Sequence, residues 1–414
     1  MTTNKLRHVN QDEIDNAIVA HTAYLRGQQG AKRMVFNNCD LTGVIMRNCD
    51  LRDSDFTGSR LERADLSGSN FKCAAFFSAD LRRANLRYCD LSRADLRGAL
   101  FNGADLTNAD LSEADLREGV VAKRDKKGGL TQVTHVPMAA SGCNTIFKGA
   151  KLSNAKMNGM IAISADFTGA MMREVKLVRA HLKQAILAGA DLTNSDLSGA
   201  NLEGADLHGA IIAGANTVGM DVRGADVSGM IKEPKGDEAK KMSEIGASIG
   251  QHILWRETMG KQGQVGIFDN LDLRSAQDLS DKPLTAFRAK NAVLCGLDLS
   301  KSELQGAMLT GADMRSCDLQ ECDLRGINLK DCKMQWTNLQ QADLSPLKLP
   351  DGRELWADLS GADLSHADLS GLDLSKVKLQ GANLTDAKLN NTKISPKMLP
   401  QLILDEQVEV LKQA

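Results

Sequence analysis

The 414-residue sequence predicts an all-β solenoid that turns a corner every five residues. Three observations predict it. A large apolar residue recurs every fifth position, a small residue stands two positions before it, and aromatics make up only 4% of the chain. A period of five suits neither a helix nor a flat strand, so the backbone must change direction once per repeat. With so few rings, the bulky side chains that usually dominate a globular core are nearly missing, and something else must fill the interior.

The first run of large residues goes Phe36, Leu41, Met46, Leu51, Phe56, Leu61, Leu66, Phe71, Phe76, Leu81, Leu86, Leu91, Leu96, Phe101, Leu106, Leu111 and Leu116, with no position missed. A second starts at Phe147 and reaches Val227, faltering at Ala162 and Thr217, and a third spans Leu299 to Ile394 with Glu354 as its one polar interruption. The small partners are Ala64, Ala79, Ala94 and Ala104, or Ser54, Ser59 and Ser69. Cys39, Cys49, Cys89, Cys317, Cys322 and Cys332 fall in the same slot, which reads as packed thiols, with a zinc site as the minor alternative.

Through Ala104-Asp105-Leu106, Ala190-Asp191-Leu192 and Ala362-Asp363-Leu364, repeated dozens of times as A-(D/N)-L-x-x, the sequence resembles the pentapeptide-repeat family. The resemblance implies a right-handed quadrilateral β-helix with short helical caps, in which four repeats make a square coil and coils stack at about 4.8 Å. The large and small residues then point inward, and Asp or Asn and the two residues after the large one point outward.

Two helical segments interrupt the period and end in related signatures, His21-x-x-Tyr24 before Gly27 and Gly30, and His252-x-x-Trp255 before Gly260 and Gly263. They look like the helical N-terminal cap of the family, and they suggest an internal duplication. The N-terminal module covers 1–231, with a cap at 10–30, β-helix at 34–118 and 145–230, and a hairpin insertion at 119–144. The C-terminal module covers 232–414, with linker and helix at 232–260, β-helix at 266–396 and a C-terminal capping helix at 397–414 that also offers a homodimer contact. Arg274 to Leu294 departs from the period and reads as a less regular first coil or a loop. Caps are needed because the open ends of such a ladder expose unpaired backbone groups.

Chemistry is not evident. No phosphate loop or dinucleotide fingerprint occurs, the histidines lack metal-ligand spacing, and the carboxylates sit at the repeat's own outward position. The expectation is a non-enzyme without cofactor or metal. His21, Tyr24, His252 and Trp255 are structural cap residues on this reading, each histidine bonded to backbone. A net charge of −2 makes direct nucleic-acid binding unlikely on global electrostatics, and no apolar run or signal segment is long enough to move the chain from a cytoplasmic address.

The leading functional expectation is a protein–protein interaction scaffold whose partner is not named by the sequence. Its candidate contacts are Lys123, Arg124, Lys126 and Lys127 in the hairpin insertion, and Trp356 beside the turn Pro350-Asp351-Gly352. Trp356 has a second reading, as cover for the gap where Glu354 replaces a core leucine. The alternative function follows from the resemblance, since some family members imitate duplex DNA and bind type II topoisomerases such as DNA gyrase. At four repeats per coil, Glu303, Asp323, Asp343, Asp363 and Asn383 would align as an acidic stripe, as would Asp298, Asp318, Asn338 and Asp358. Against it, the first module interleaves its carboxylates with Arg60, Arg63, Arg82, Arg83, Arg93 and Arg97.

Overall fold

The computed structural model describes residues 6–119, 139–232, 237–274 and 279–404, the side chains of 237–243 excepted. Its backbone is a ladder of parallel bridges in which most partners stand twenty residues farther along: Val35 with Asp55, Asp55 with Ala75, Ala75 with Asp95. Four repeats therefore make one coil.

Each repeat closes the same way. The N–H of Leu96 donates to Asp115 O in the next coil (2.8 Å), and the N–H of Ala99 turns back onto Leu96 O (3.1 Å). The third residue of that turn takes positive φ, 60° at Arg93, 58° at Asn108 and 60° at Glu113, which is the type II turn signature. Glycine fills this corner without steric cost. At Gly68, with φ +69°, a Cβ would also come within 2.1 Å of Asn48 Oδ1 in the coil before.

The large residues and the small ones two before them line the interior, with Leu96, Ala94, Phe56 and Ala64 wholly or almost wholly buried. Rings on successive coils stack, Phe56 on Phe76 with centroids 5.2 Å apart and Phe147 on Phe167 at 4.8 Å. Polar residues in the small slot are satisfied by backbone: Ser69 Oγ donates to Met46 O at 2.6 Å, and the Cys89 thiol to Leu66 O at 3.1 Å. Burial pushes the thiols of Cys89 and Cys332 up to about 12 and that of Cys322 up to about 11, so they are inert small fillers. Cys39 and Cys317 are buried as well, while Cys49 is only half-buried.

The chain divides into two compact units, residues 1–233 and 234–414. Unit one begins with β1 (Arg7–His8), paired in parallel with β2 (Cys39–Asp40), and α1 (Gln11–Leu25). Asn10 caps α1 by accepting the Glu13 N–H, and Ile14 is buried against the first coil. Gln11 pairs with that coil's edge in both senses, accepting from Ile45 N and donating to Ile45 O, at 2.9 and 2.8 Å.

The ladder of unit one survives its insertion. Leu100 bridges Ser141, and Asp115 bridges Lys156. Phe101 N already donates to Ser141 O and Gly103 N to Cys143 O, so residues 141–144 belong to a coil, and the insertion expected over 119–144 ends before them. Residues 120–138, with Lys123, Arg124, Lys126 and Lys127, lie outside the described residues. The faltering period at Ala162 is a size exchange: Met160, in the small slot, is buried and fills the space left by Ala162 and by Gly142, where a Cβ would meet Met160 Cε at 2.8 Å.

In unit two α2 (Asp237–Glu257) buries Ile245 and Ile249 against the core. The stretch expected to be irregular up to Leu294 regains the period from Leu279, because Phe287 occupies the small slot and Ala289 the large one, both buried. Residues 275–278 lie outside the described residues. The third run is not continuous. Leu347–Lys348 (β3) and Glu354–Leu355 (β4) form an antiparallel hairpin, and Asn328 before it bridges Asp358 after it, ten residues later than the rule of twenty. Glu354 is therefore an exposed hairpin residue and replaces no core leucine. The C-terminal helix expected over 397–414 is, among the described residues, a short 3₁₀ turn at Leu399–Gln401, after which Ile403 bridges Asn383. The proposed dimer contact has no described helix to rest on, and residues 405–414 lie outside the described set. Among the described residues no helix is long and apolar enough to cross a membrane.

Candidate interaction surfaces

The outward face is built from a charge pattern the repeat carries within itself. An arginine just after the large residue reaches back over it to the aspartate just before, as in Arg52 to Asp50, Arg97 to Asp95 and Arg117 to Asp115, each at 2.7 Å. Arg82, Arg223, Arg315 and Arg325 repeat the fork with Asp80, Asp221, Asp313 and Asp323. Other aspartates cap the N–H two residues on, Asp196 taking that of Ser198 at 3.1 Å. At Asp221, hydrogen bonds from Arg223 hold the carboxyl at about 2.

The proposed acidic stripe does not form as expected. Glu303, Asp323 and Asp343 do bridge in succession, but Asp363 pairs with Lys333 and Asn383. The ten residues fed into the β3–β4 hairpin advance the chain by two repeats, which carries Asp363 off the Asp343 row. The second stripe breaks for the same reason: Asn338 bridges Asp368, and Asp358 moves to the Asn328 row. The surviving row is also partly paired in place, two arginines against three carboxylates, since Arg256 lies 3.6 Å from Glu303 and Arg325 reaches both Asp323 (2.5 Å) and Asp343 (3.7 Å). Burial pulls Asp323 upward, but Arg325 and Gln305 together hold it below the usual carboxylate range.

Trp356 leaves the hairpin exposed, directly after the exposed Leu355. The hairpin lies down on the coil at Gly326, where a Cβ would come within 2.9 Å of Leu347 Cβ and 3.0 Å of Leu355 Cδ2. The two histidines occupy matching positions. His21 Nδ1 accepts the Met34 N–H at 3.1 Å while Nε2 lies 3.0 Å from Arg52 O, and His252 Nδ1 accepts the Gly266 N–H at 3.1 Å. Tyr24 stacks on His21 at 5.8 Å, and Trp255 lies tilted on His252 at 5.7 Å. Burial lowers the pKa of both rings, keeping them neutral acceptors. Among the described residues no group of three or more His, Cys, Asp or Glu is placed to hold a metal ion.

One surface was not foreseen. A groove of about 570 Å³ on unit one is lined by Arg97, Arg117, Glu118, Asn158, Gly159, Val178 and Arg179. Its columns run across the insertion, because Asp115 bridges Lys156 and Lys156 bridges Lys176, which sets Asn158 and Val178 in line with Arg117. Gly159 is its notch, with the Glu118 carboxylate 3.4 Å from where a Cβ would stand. Counting repeats could find it only once the length of the insertion is known.

A family model for pentapeptide repeats matches the chain in eight copies, over residues 35–72, 79–117, 145–184, 176–212, 284–315, 309–345 and 356–395, more than half of the sequence. The chain belongs to the pentapeptide-repeat family. Members of this family form right-handed quadrilateral β-helices and are generally structural or interaction proteins, with no catalytic family indicated here. Among solved pentapeptide-repeat structures, HetL of Nostoc sp. strain PCC 7120, involved in heterocyst differentiation regulation, is 20% identical over 94% of both chains with a TM-score of 0.19. Rfr23 of Cyanothece 51142 is 23% identical over 34% of this chain and 91% of its own, with a TM-score of 0.25. Full-length QnrB1, a plasmid-mediated fluoroquinolone resistance protein, is 20% identical over 51% of this chain and 97% of its own, with a TM-score of 0.26. With TM-scores this low, family membership rests on the repeat model and not on superposition. No curated protein matches the chain.

Proposed function

We propose that this pentapeptide-repeat protein is a non-enzymatic, cytoplasmic scaffold for protein partners, built as a right-handed quadrilateral β-helix with α1 and α2 as caps. The observation that carries the reading is the in-place pairing of outward aspartates by arginines of the same repeat, from Asp50–Arg52 to Asp323–Arg325. A surface so balanced offers preformed shape and specific polar contacts, and little ordering entropy is lost on binding. It is a poor copy of a phosphate backbone, which needs unneutralised charge repeated along its length. Trp356 and the segment holding Lys123, Arg124, Lys126 and Lys127 are the proposed contacts.

The test is affinity capture with the immobilised full-length protein beside a variant lacking residues 119–139. That deletion joins Glu118 to Ala140 in register, so the coil can close across it. A specific protein retained by the full chain and lost from the variant supports the scaffold. Inhibition of gyrase supercoiling, relieved by Asp323→Asn with Asp343→Asn, would instead establish DNA mimicry on the row Glu303, Asp323 and Asp343.

A further inference from the structure

The groove at Gly159 gathers hydrogen-bond donors that its neighbouring carboxylates leave free. Asn158 gives its side-chain oxygen to the Val178 N–H at 3.2 Å, which leaves its amide NH₂ as a donor. Arg97 and Arg117 bind their own aspartates through Nε and Nη2, leaving Nη1 of each for other acceptors. Arg173 and Lys183 on neighbouring repeats bond Asp191 and Glu203, whereas Arg179 has no carboxylate within ion-pair distance among the described residues. Lys156 and Lys176 stand side by side on the adjoining ladder row, between Asp115 and Asp196.

Apart from Glu118 and the Asn158 oxygen already bonded to Val178 N–H, the side-chain polar groups of the groove are donors, which favours a ligand rich in acceptors. Glu118 within it opposes a dense polyanion, and Val178 supplies an apolar wall. Arg117 and Arg179 lie two coils apart, about 10 Å at the usual ladder spacing. Carboxylates three residues apart on a polyproline II segment rise about 9.3 Å on one face. We infer that this groove binds an extended, acidic segment of a protein partner, its carboxylates bridging the Arg117 and Arg179 guanidinia. The inference rests on the scaffold reading and names the kind of segment that one of its faces takes.

The test is fluorescence anisotropy at low salt, with the full-length protein and a labelled peptide of three Glu-Pro-Pro units. Saturable binding should weaken about tenfold or more in Arg179→Glu, since a like charge then faces the peptide carboxylate, and stay within about twofold in Arg83→Glu outside the groove. Glu113 and Glu174 hold the same positive-φ corner elsewhere, so the substitution is compatible with the fold. Absent saturable binding, equal binding by Arg179→Glu, equal binding of a Gln-Pro-Pro control, or tighter binding of polyphosphate would each overturn the groove assignment. Partner capture from lysate by Arg179→Glu as strong as by the wild type would overturn the groove while leaving the scaffold standing.

Discussion

Leu96 shows what one residue does in this fold. It is fully buried, its N–H is bonded to the next coil, and its neighbours above and below are the equivalent residues twenty away. No water or counter-charge can reach a carboxylate there, so Leu96→Asp should cost several kcal/mol, on the order of the burial penalty of an unpaired polar group or more. Urea unfolding of the variant measures it, and a midpoint equal to the wild type's would contradict the inward assignment. Corner residues obey a different rule. The outward turn demands positive φ, which Gly, Asn and Asp supply most cheaply, yet Arg93, Glu113 and Trp336 also adopt it because two flanking ladder bonds hold the turn. The size exchange between Met160 and Ala162 shows that the coil selects total volume and not the identity of each slot.

At the scale of elements, α1 and α2 are tied to their coils by one neutral histidine each. The ring of His21 accepts a backbone N–H and is buried, so its folded pKa lies below the ordinary 6.5. The sign follows directly: the folded state binds fewer protons, so the contribution is complete above about pH 6.5 and is lost as pH falls through the folded values. His252 behaves alike. Thermal melts should show stability falling as the pH drops below about 6.5, and the double variant His21→Gln with His252→Gln should be less stable at pH 7 but flatter through that fall. An unchanged pH slope in the double variant would remove the histidines as the cause.

For the molecule as a whole, insertions decide which outward residues are neighbours. Removing residues 346–355 joins Ser345 to Trp356, leaving Leu344 five positions before Leu359 and restoring the rule of twenty. Such a deletion should fold, with a melting temperature within a few degrees of the wild type's, because loop closure in a preformed ladder costs little. Circular dichroism and a melt would check this. A collapse of the ladder signal would mean that Leu347 and Leu355 packing at Gly326 is indispensable to unit two. Neither insertion interrupts the core, which is why an Ala-and-Leu interior can be long without being uniform outside.

The period of five and the inward pair Ala94 and Leu96 were legible in the sequence alone, because backbone geometry allows only one face of such a repeat to be dry. The matching positions of His21 and His252 were legible too, from spacing. The coil at 141–144 was not, since Gly142 puts no side chain in the large slot and Met160 of the next coil fills the space. Nor was the true company of Asp363, or the groove that gathers Arg97, Arg117 and Arg179. Sequence by itself determined the coil, through local turn chemistry and side-chain size. The tertiary structure alone decided which charges stand side by side, because ladder pairing depends on how many residues each insertion feeds out between one coil and the next.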